Sequence, residues 1–311
     1  MFIPSDLNAV PTDIPFSSGV LLQSINTLRR RYNFLSFGSL GKSVLGTDIY
    51  TVRVGAGARK VFMNASHHGN EWITTPLLMK LLEEYSQAIE TGGSMYGRSA
   101  AELFENSTLF MVPMVNPDGV DIVTEFYGPS SAPYRMAQQL ARNYPQIEFP
   151  AGWKANIEGT DPNLQYPAGW YEARRIKFAE GFTRPGPRDY VGPGPLTAPE
   201  SFAVYDYTLA YDFDITLSYH TQGGVIFWKF LDIEPPGAFE LGQIFADVSG
   251  YTLEDVPYAS GFAGYKDWFI QDFNRPGFTI EAGYGENPLP LAQFWDIYSQ
   301  NIGIFVNALA S

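Results

Sequence analysis

Residues 60–90 read KVFMNASHHGNEWITTPLLMKLLEEYSQAIE, and their pattern decides the fold class. Residues 60–65 form a nearly continuous apolar run, as a strand buried on both faces requires. Residues 74–90 repeat apolar side chains at helical spacing, with Leu77, Leu78, Leu81, Leu82 and Tyr85 on one face. Pro76 falls in the first turn of that helix, where a missing N–H costs nothing. Between strand and helix lies a polar loop, residues 66–72, that carries two adjacent histidines and a glutamate. Strand, loop and helix in this order are the unit of α/β proteins, whose ligands bind beyond the carboxyl ends of strands.

The same alternation continues outward. Residues 19–32 predict a helix with Leu21, Ile25 and Leu28 on one side, residues 40–46 a turn, and residues 48–54 a strand. Gly55-Ala-Gly57 reads as a hairpin turn into the strand at 60–65. Residues 107–115 predict another buried strand, stopped by Asn116-Pro-Asp-Gly119. Residues 213–218 and 225–228 flank His220, residues 277–281 give a short strand, and residues 291–309 close as an amphipathic helix. This predicts one α/β domain with a mixed, mostly parallel central sheet flanked by helices. Residues 1–18 read as a lead-in and residues 19–311 as the folded domain. Residues 182–199 hold five prolines and read as a long irregular loop of the kind that is usually functional or disordered.

Composition narrows the function. The 311 residues carry a net charge of −13, and the basic runs Arg29-Arg30-Arg31 and Arg174-Arg175-Lys177 are short and fall in predicted helices. Nothing supplies the basic face that a nucleic-acid binder needs. There is no cysteine, which excludes disulfides and thiolate metal sites. No apolar stretch reaches the ~18–20 residues of a membrane span. The start of the chain lacks the basic and apolar regions of a signal peptide. The compartment is left open: the exterior if a leader precedes this stretch, the cytoplasm otherwise.

The chain holds three histidines, His67, His68 and His220. His68-Gly-Asn-Glu71 lets one imidazole and one carboxylate reach the same ion from a loop, and zinc accepts both ligand types. The spacing alone is common, and its place between strand and helix is what raises it. His220 ends the run Ile215-Thr-Leu-Ser-Tyr-His220. A lone histidine there reads ordinarily as a hydrogen-bonded core residue, yet it is the one left to complete a three-ligand set. Glu281 closes an apolar strand, where an unpaired carboxylate costs several kcal/mol unless a cation or a polarised water lies beside it; a salt bridge to a basic residue is the alternative.

Taken together, these residues resemble a known family. His68-Gly-Asn-Glu71-Trp72-Ile73-Thr74, Asn116-Pro-Asp-Gly119, Leu217-Ser-Tyr-His220 and Phe278-Thr-Ile-Glu281 resemble, in order, the signatures of the carboxypeptidase A-like zinc metallopeptidases. Val10-Pro-Thr-Asp-Ile14, Gly41-Lys-Ser-Val-Leu-Gly46, Trp153-Lys-Ala-Asn-Ile157 and Tyr166-Pro-Ala-Gly-Trp170 are similar to its bacterial γ-D-glutamyl-L-diamino acid endopeptidase branch. The resemblance implies one zinc ion on His68, Glu71 and His220, with Glu281 as general base, and leaves His67 a supporting or structural residue.

Three departures bear on the substrate. Where carboxypeptidases carry an Asn-Arg pair that grips a free terminal carboxylate, this chain has Asn163 and Leu164, and leucine cannot make that bidentate contact. Lys154 stands where the family has an arginine that polarises the scissile carbonyl. Lys266 precedes Asp267-Trp268 at the position lining the pocket for the side chain after the scissile bond, which favours a distal carboxylate such as that of diaminopimelate. Tyr258 aligns, with a one-residue gap, with the family's mobile active-site tyrosine. The expected function is zinc-dependent hydrolysis of the γ-D-glutamyl–diaminopimelate bond in peptidoglycan stem peptides. A carboxypeptidase or an N-acyl amino acid deacylase on the same scaffold is the alternative, and a catalytically dead wall-binding module the remote one.

Overall fold

The computed structural model describes residues 8–311. Eight strands form one sheet: β1 (Ser36–Lys42), β2 (Asp48–Gly55), β3 (Arg59–Ala65), β4 (Ser107–Val112), β5 (Ile215–His220), β6 (Val225–Phe227), β7 (Thr252–Glu254) and β8 (Gly277–Glu281). Their order across the sheet is β1-β2-β4-β3-β5-β8-β6-β7. The central run β4-β3-β5-β8 is parallel throughout, whereas β1, β2 and β6 join antiparallel. The predicted α/β class with a mixed, mostly parallel sheet is what forms.

Alternation along the central strands explains why both faces are covered. Val61, Met63 and Ala65 of β3, Leu109 and Met111 of β4, and Ile215, Leu217 and Tyr219 of β5 face one core. Helices Ser18–Arg31, Thr74–Thr91, Ala238–Ser249 and Phe294–Ala310 close over it. Phe62 and Phe110 face the other way into an aromatic core with Phe213, Tyr265 and Trp268, covered by helices Pro199–Tyr211 and Tyr265–Phe273. Among the described residues no helix is long and apolar enough to cross a membrane. Residues 1–7 of the expected lead-in lie outside the described residues; the first helix starts at Ser18.

Two expectations need correction. Residues 40–42 are not turn but the end of β1, which pairs antiparallel with β2 through Ser43–Thr47. The sequence SFGSLGK has little intrinsic strand preference, and this edge strand forms because β2 offers it a ladder. Gly55-Ala-Gly57 is not a hairpin turn, since β4 lies between β2 and β3. The two glycines instead let the chain pass against the start of β4. A Cβ on Gly57 would stand 1.9 Å from the carbonyl carbon of Asn106, and one on Gly55 would stand 2.1 Å from Ser107 O.

A buried polar hub ties the β1–β2 turn to the rest. Asp118 accepts from Ser43 Oγ, Leu45 N and Thr47 Oγ1 at 2.8–3.1 Å. Glu200 accepts from Val44 N and Asn156 Nδ2 at 3.2 and 3.0 Å. Four stretches that are far apart in sequence, around residues 44, 118, 156 and 200, are thereby joined. Burial pushes the Glu200 carboxyl up to about 7 despite these donors, and Asp121, also buried, to about 6.

Two predictions follow from these contacts. Gly57→Ala should cost ~2–3 kcal/mol, because only backbone can yield to the new methyl; a lowered urea midpoint checks it. Glu200 holds its proton more tightly folded than unfolded. Its contribution is therefore complete below about pH 4.5 and is lost as pH rises to about 7, on the order of 3 kcal/mol at most. Denaturation of Glu200→Gln should show a flatter stability profile across that window; a slope equal to wild type would contradict the assignment.

Candidate metal centre

β3, β5 and β8 run parallel, so Ala65, His220 and Glu281 end at one edge of the sheet. After β3 the chain turns through Ser66, whose φ of 52° lies in the left-handed region. Its strain is offset by partners: Ser66 N donates to Thr74 Oγ1, and its hydroxyl pairs with Thr74 and Thr75 Oγ1 at 3.1 and 2.7 Å. A short 3-10 turn, Gly69–Glu71, then points His68 and Glu71 at the same spot. Gly69 is obligatory there, because a Cβ would meet Gly119 O at 2.5 Å and Trp153 O at 2.9 Å. The Asn116 side chain locks this approach: Nδ2 donates to His67 O and Ala155 O, and Oδ1 accepts from Gly119 N, at 3.0–3.1 Å.

Glu71 is fully buried and is the common partner. His68 Nδ1 lies 2.9 Å from Oε1, His220 Nδ1 2.8 Å from Oε2, and Lys154 Nζ donates to Oε1 at 2.8 Å. Burial opposes the charge on Glu71, but His68, Lys154 and His220 outweigh it and hold the carboxyl well below its usual range. Burial alone would favour neutral His68; Glu71 and Asp161 reverse this and push it up to about 9. Glu281, beside His220 in register, is pushed up by burial and by Glu71, against the pull of His220 and Lys154. No hydrogen bond from a described residue reaches its carboxylate.

The donor set fits a zinc ion. The ligand atoms of His68, Glu71 and His220 lie within 4.8 Å of one another, and all three residues are buried. Both imidazoles present the same nitrogen, Nδ1, to Glu71; on the far side His68 Nε2 donates to Asp161 Oδ1 at 3.1 Å, while the Asn163 amide lies 3.4 Å from His220 Nε2. A carboxylate acceptor such as Asp161 fixes the ring of a metal-binding histidine. Three protein ligands facing a cleft is the pattern of catalytic zinc. The cleft has a volume of about 610 Å³, and Lys154, Asn163, Leu164, Lys266 and Glu281 also line it.

His67 stands apart from this set. Its Nε2 bonds Tyr166 Oη at 2.9 Å, and its ring stacks at 5.7 Å on His220. Burial, reinforced by the neighbouring histidines, holds its pKa well below the usual value, so it supports the site as a neutral ring. Lys266 lies in the cleft but is engaged: Nζ donates to Asp267 Oδ1 and Lys229 O, both at 2.6 Å. Tyr258 is not brought to the cleft lining. It is 61 % exposed, and its hydroxyl donates to Glu172 at 2.8 Å. Asp161 was not legible as a site residue, because Asp-Pro reads as an ordinary helix start, a role it also fills by accepting from Asn163 N.

Comparison with known proteins agrees with this geometry. The zinc carboxypeptidase family matches residues 21–301. Gamma-D-glutamyl-L-diamino acid endopeptidase 1 of Lysinibacillus sphaericus is 42% identical over 295 residues, 94% of this chain and 72% of that protein. Among solved structures, carboxypeptidase A from Helicoverpa armigera superposes with a TM-score of 0.72 at 18% identity, over 97% of this chain and 75% of the other. Murein-tripeptide amidase MpaA from Escherichia coli O157 does so with a TM-score of 0.56 at 19% identity, over 88% and 92%. With the family match spanning nearly its whole length and the His-Glu-His cluster formed at the strand ends, the chain belongs to the zinc carboxypeptidase family.

Proposed function

We propose that this metallopeptidase hydrolyses the γ-D-glutamyl–diaminopimelate bond of bacterial cell-wall peptides, through the unit 19–311. The Lysinibacillus relative, named for cleaving γ-D-glutamyl-L-diamino acid bonds, supports this across nearly the whole chain. The observation that carries it is Leu164 in the cleft lining, where a terminal-carboxylate-binding arginine would make the enzyme a carboxypeptidase. A substrate whose chain continues past the scissile bond suits that position better.

The roles of the chain's own residues follow from their places. His68, Glu71 and His220 would hold the zinc ion, which supplies Lewis acidity and lowers the pKa of water. Glu281, whose pKa burial raises and which is free of hydrogen bonds from described residues, takes the proton of the attacking water on its carboxylate and delivers it to the leaving amine. Lys154 Nζ, fixed beside Glu71, offsets the charge that grows on the carbonyl oxygen. Asp161 keeps the His68 imidazole in place. Lys266 and Asp267 present a buried cation and anion in one lining, and the distal end of diaminopimelate carries the opposite pair. Lys266 keeps one of its three donors for that carboxylate.

Mass spectrometry of products from defined muropeptides is the direct test. The zinc-loaded enzyme should release an acyl-side product that ends in L-alanyl-D-glutamate, lose this activity with chelator, and act more slowly on peptides with lysine in place of diaminopimelate. Release of a C-terminal residue or of an acyl group instead would select the carboxypeptidase or deacylase reading. Glu281→Gln should lower kcat by about a thousandfold or more while zinc content stays at one ion per chain; turnover near wild type would remove Glu281 from the mechanism.

A further inference from the structure

The proline-rich stretch between Phe182 and Pro199 is docked against the catalytic residues rather than left at the surface. Pro187 O accepts from Lys154 N and Ala155 N at 2.7 and 2.9 Å. The next two residues, Arg188 and Asp189, line the cleft. Asp189 has a φ of 63°, in the left-handed region, and is held there on three sides. Its N–H donates to Asp161 Oδ2 at 3.2 Å, Lys177 Nζ is 3.1 Å from Oδ1, and Arg188 Nε donates to Oδ2 at 2.6 Å. A strained residue fixed this firmly beside a site is a reason to look for a function.

What the arrangement fixes is Arg188. Asp189 takes Nε, and among the described residues no hydrogen bond occupies either terminal nitrogen of the guanidinium. Burial works against its charge, but Asp189, Asp161 and Glu71 outweigh that and raise its pKa above the usual value. It also acts on Lys154, so it sits within electrostatic reach of the residue proposed to offset carbonyl charge. Lys154 and Lys177 are each already in an ion pair. The guanidinium fork is therefore a cation in this part of the lining with paired donors to give, the geometry that a carboxylate matches.

We propose that Arg188 binds the α-carboxylate of the glutamyl residue on the acyl side of the scissile bond. This rests on the γ-glutamyl reading above. A glutamyl residue linked through its side-chain carboxyl necessarily carries its α-carboxylate a short methylene chain from the scissile carbonyl. An ordinary α-peptide has no anion at that place. Arg188 thereby selects the γ-linkage, while Lys266 and Asp267, borne by a different element, serve the leaving side. Amidation of the same carboxyl, which removes the charge, is read by the same residue.

Calorimetry on the zinc-loaded protein tests this without turnover, using the acyl-side products L-alanyl-D-glutamate and L-alanyl-D-isoglutamine. Wild type should bind the acid at least about tenfold more tightly than the amide. Arg188→Gln should bind the two equally, and Arg188→Lys should keep part of the preference, which a collapsed loop could not do. No preference in wild type, or a full preference in Arg188→Gln, overturns the proposal. Cleavage of the matching acid and amide peptides gives a second reading, with kcat/KM falling in Arg188→Gln for the acid alone. If wild type cleaves neither peptide, the γ-glutamyl reading fails, and the binding preference still decides Arg188.

Discussion

Everything at the centre of this molecule depends on satisfying one buried carboxylate. Glu71 is withdrawn from water, a condition costing several kcal/mol for an unpaired charge. His68, Lys154, His220 and the Thr221 N–H converge on it from three separate stretches of chain. None of these partners can be placed independently. Lys154 reaches Glu71 only because Asn116 and the Gly69–Gly119 contact press the residue 153–155 segment against the 3-10 turn. His220 reaches it because β5 pairs beside β3 in parallel register. The geometry of the centre is thus the sum of the sheet's order and one close packing of backbone on backbone.

The surrounding cleft has its own logic. The protein carries a net charge of −13, yet Lys154, Lys177, Arg188 and Lys266 all line this one cavity. Each is paired with a carboxylate, respectively Glu71, Asp189, Asp189 and Asp267. Such a lining does little to draw anions from a distance. It presents instead a fixed map of opposite charges at close range, which discriminates among ligands more than it attracts them.

Much of this was legible in the sequence, and the gaps have physical causes. The strand–loop–helix at residues 60–90 could be read because apolar periodicity and turn chemistry are local. His68, Glu71, His220 and Glu281 could be picked out because each closes or follows an apolar strand. The strand at 36–42 was not visible, since its serines and glycines acquire strand geometry only from β2. The path after Gly55 was misread because nothing local reveals that a strand some fifty residues later inserts between its neighbours. Asp161 was hidden behind its second role as a helix cap. Arg188 was hidden in a loop whose prolines announce irregularity but not where it docks. Tyr258 was placed by alignment alone, and its side chain is engaged with Glu172 on the surface.

The separation of the ligands along the chain has one more consequence. Glu71 and His220 stand 149 residues apart, one in the turn that follows β3 and the other at the end of β5, strands that become neighbours only when the parallel sheet is complete. An ion held by His68, Glu71 and His220 therefore acts as a removable cross-link over about half the polypeptide, and its binding free energy is added to that of folding. Metal supply then governs more than turnover. Where zinc is scarce the same chain opens more often and is exposed to proteolysis for longer, so its abundance and its activity rise and fall together.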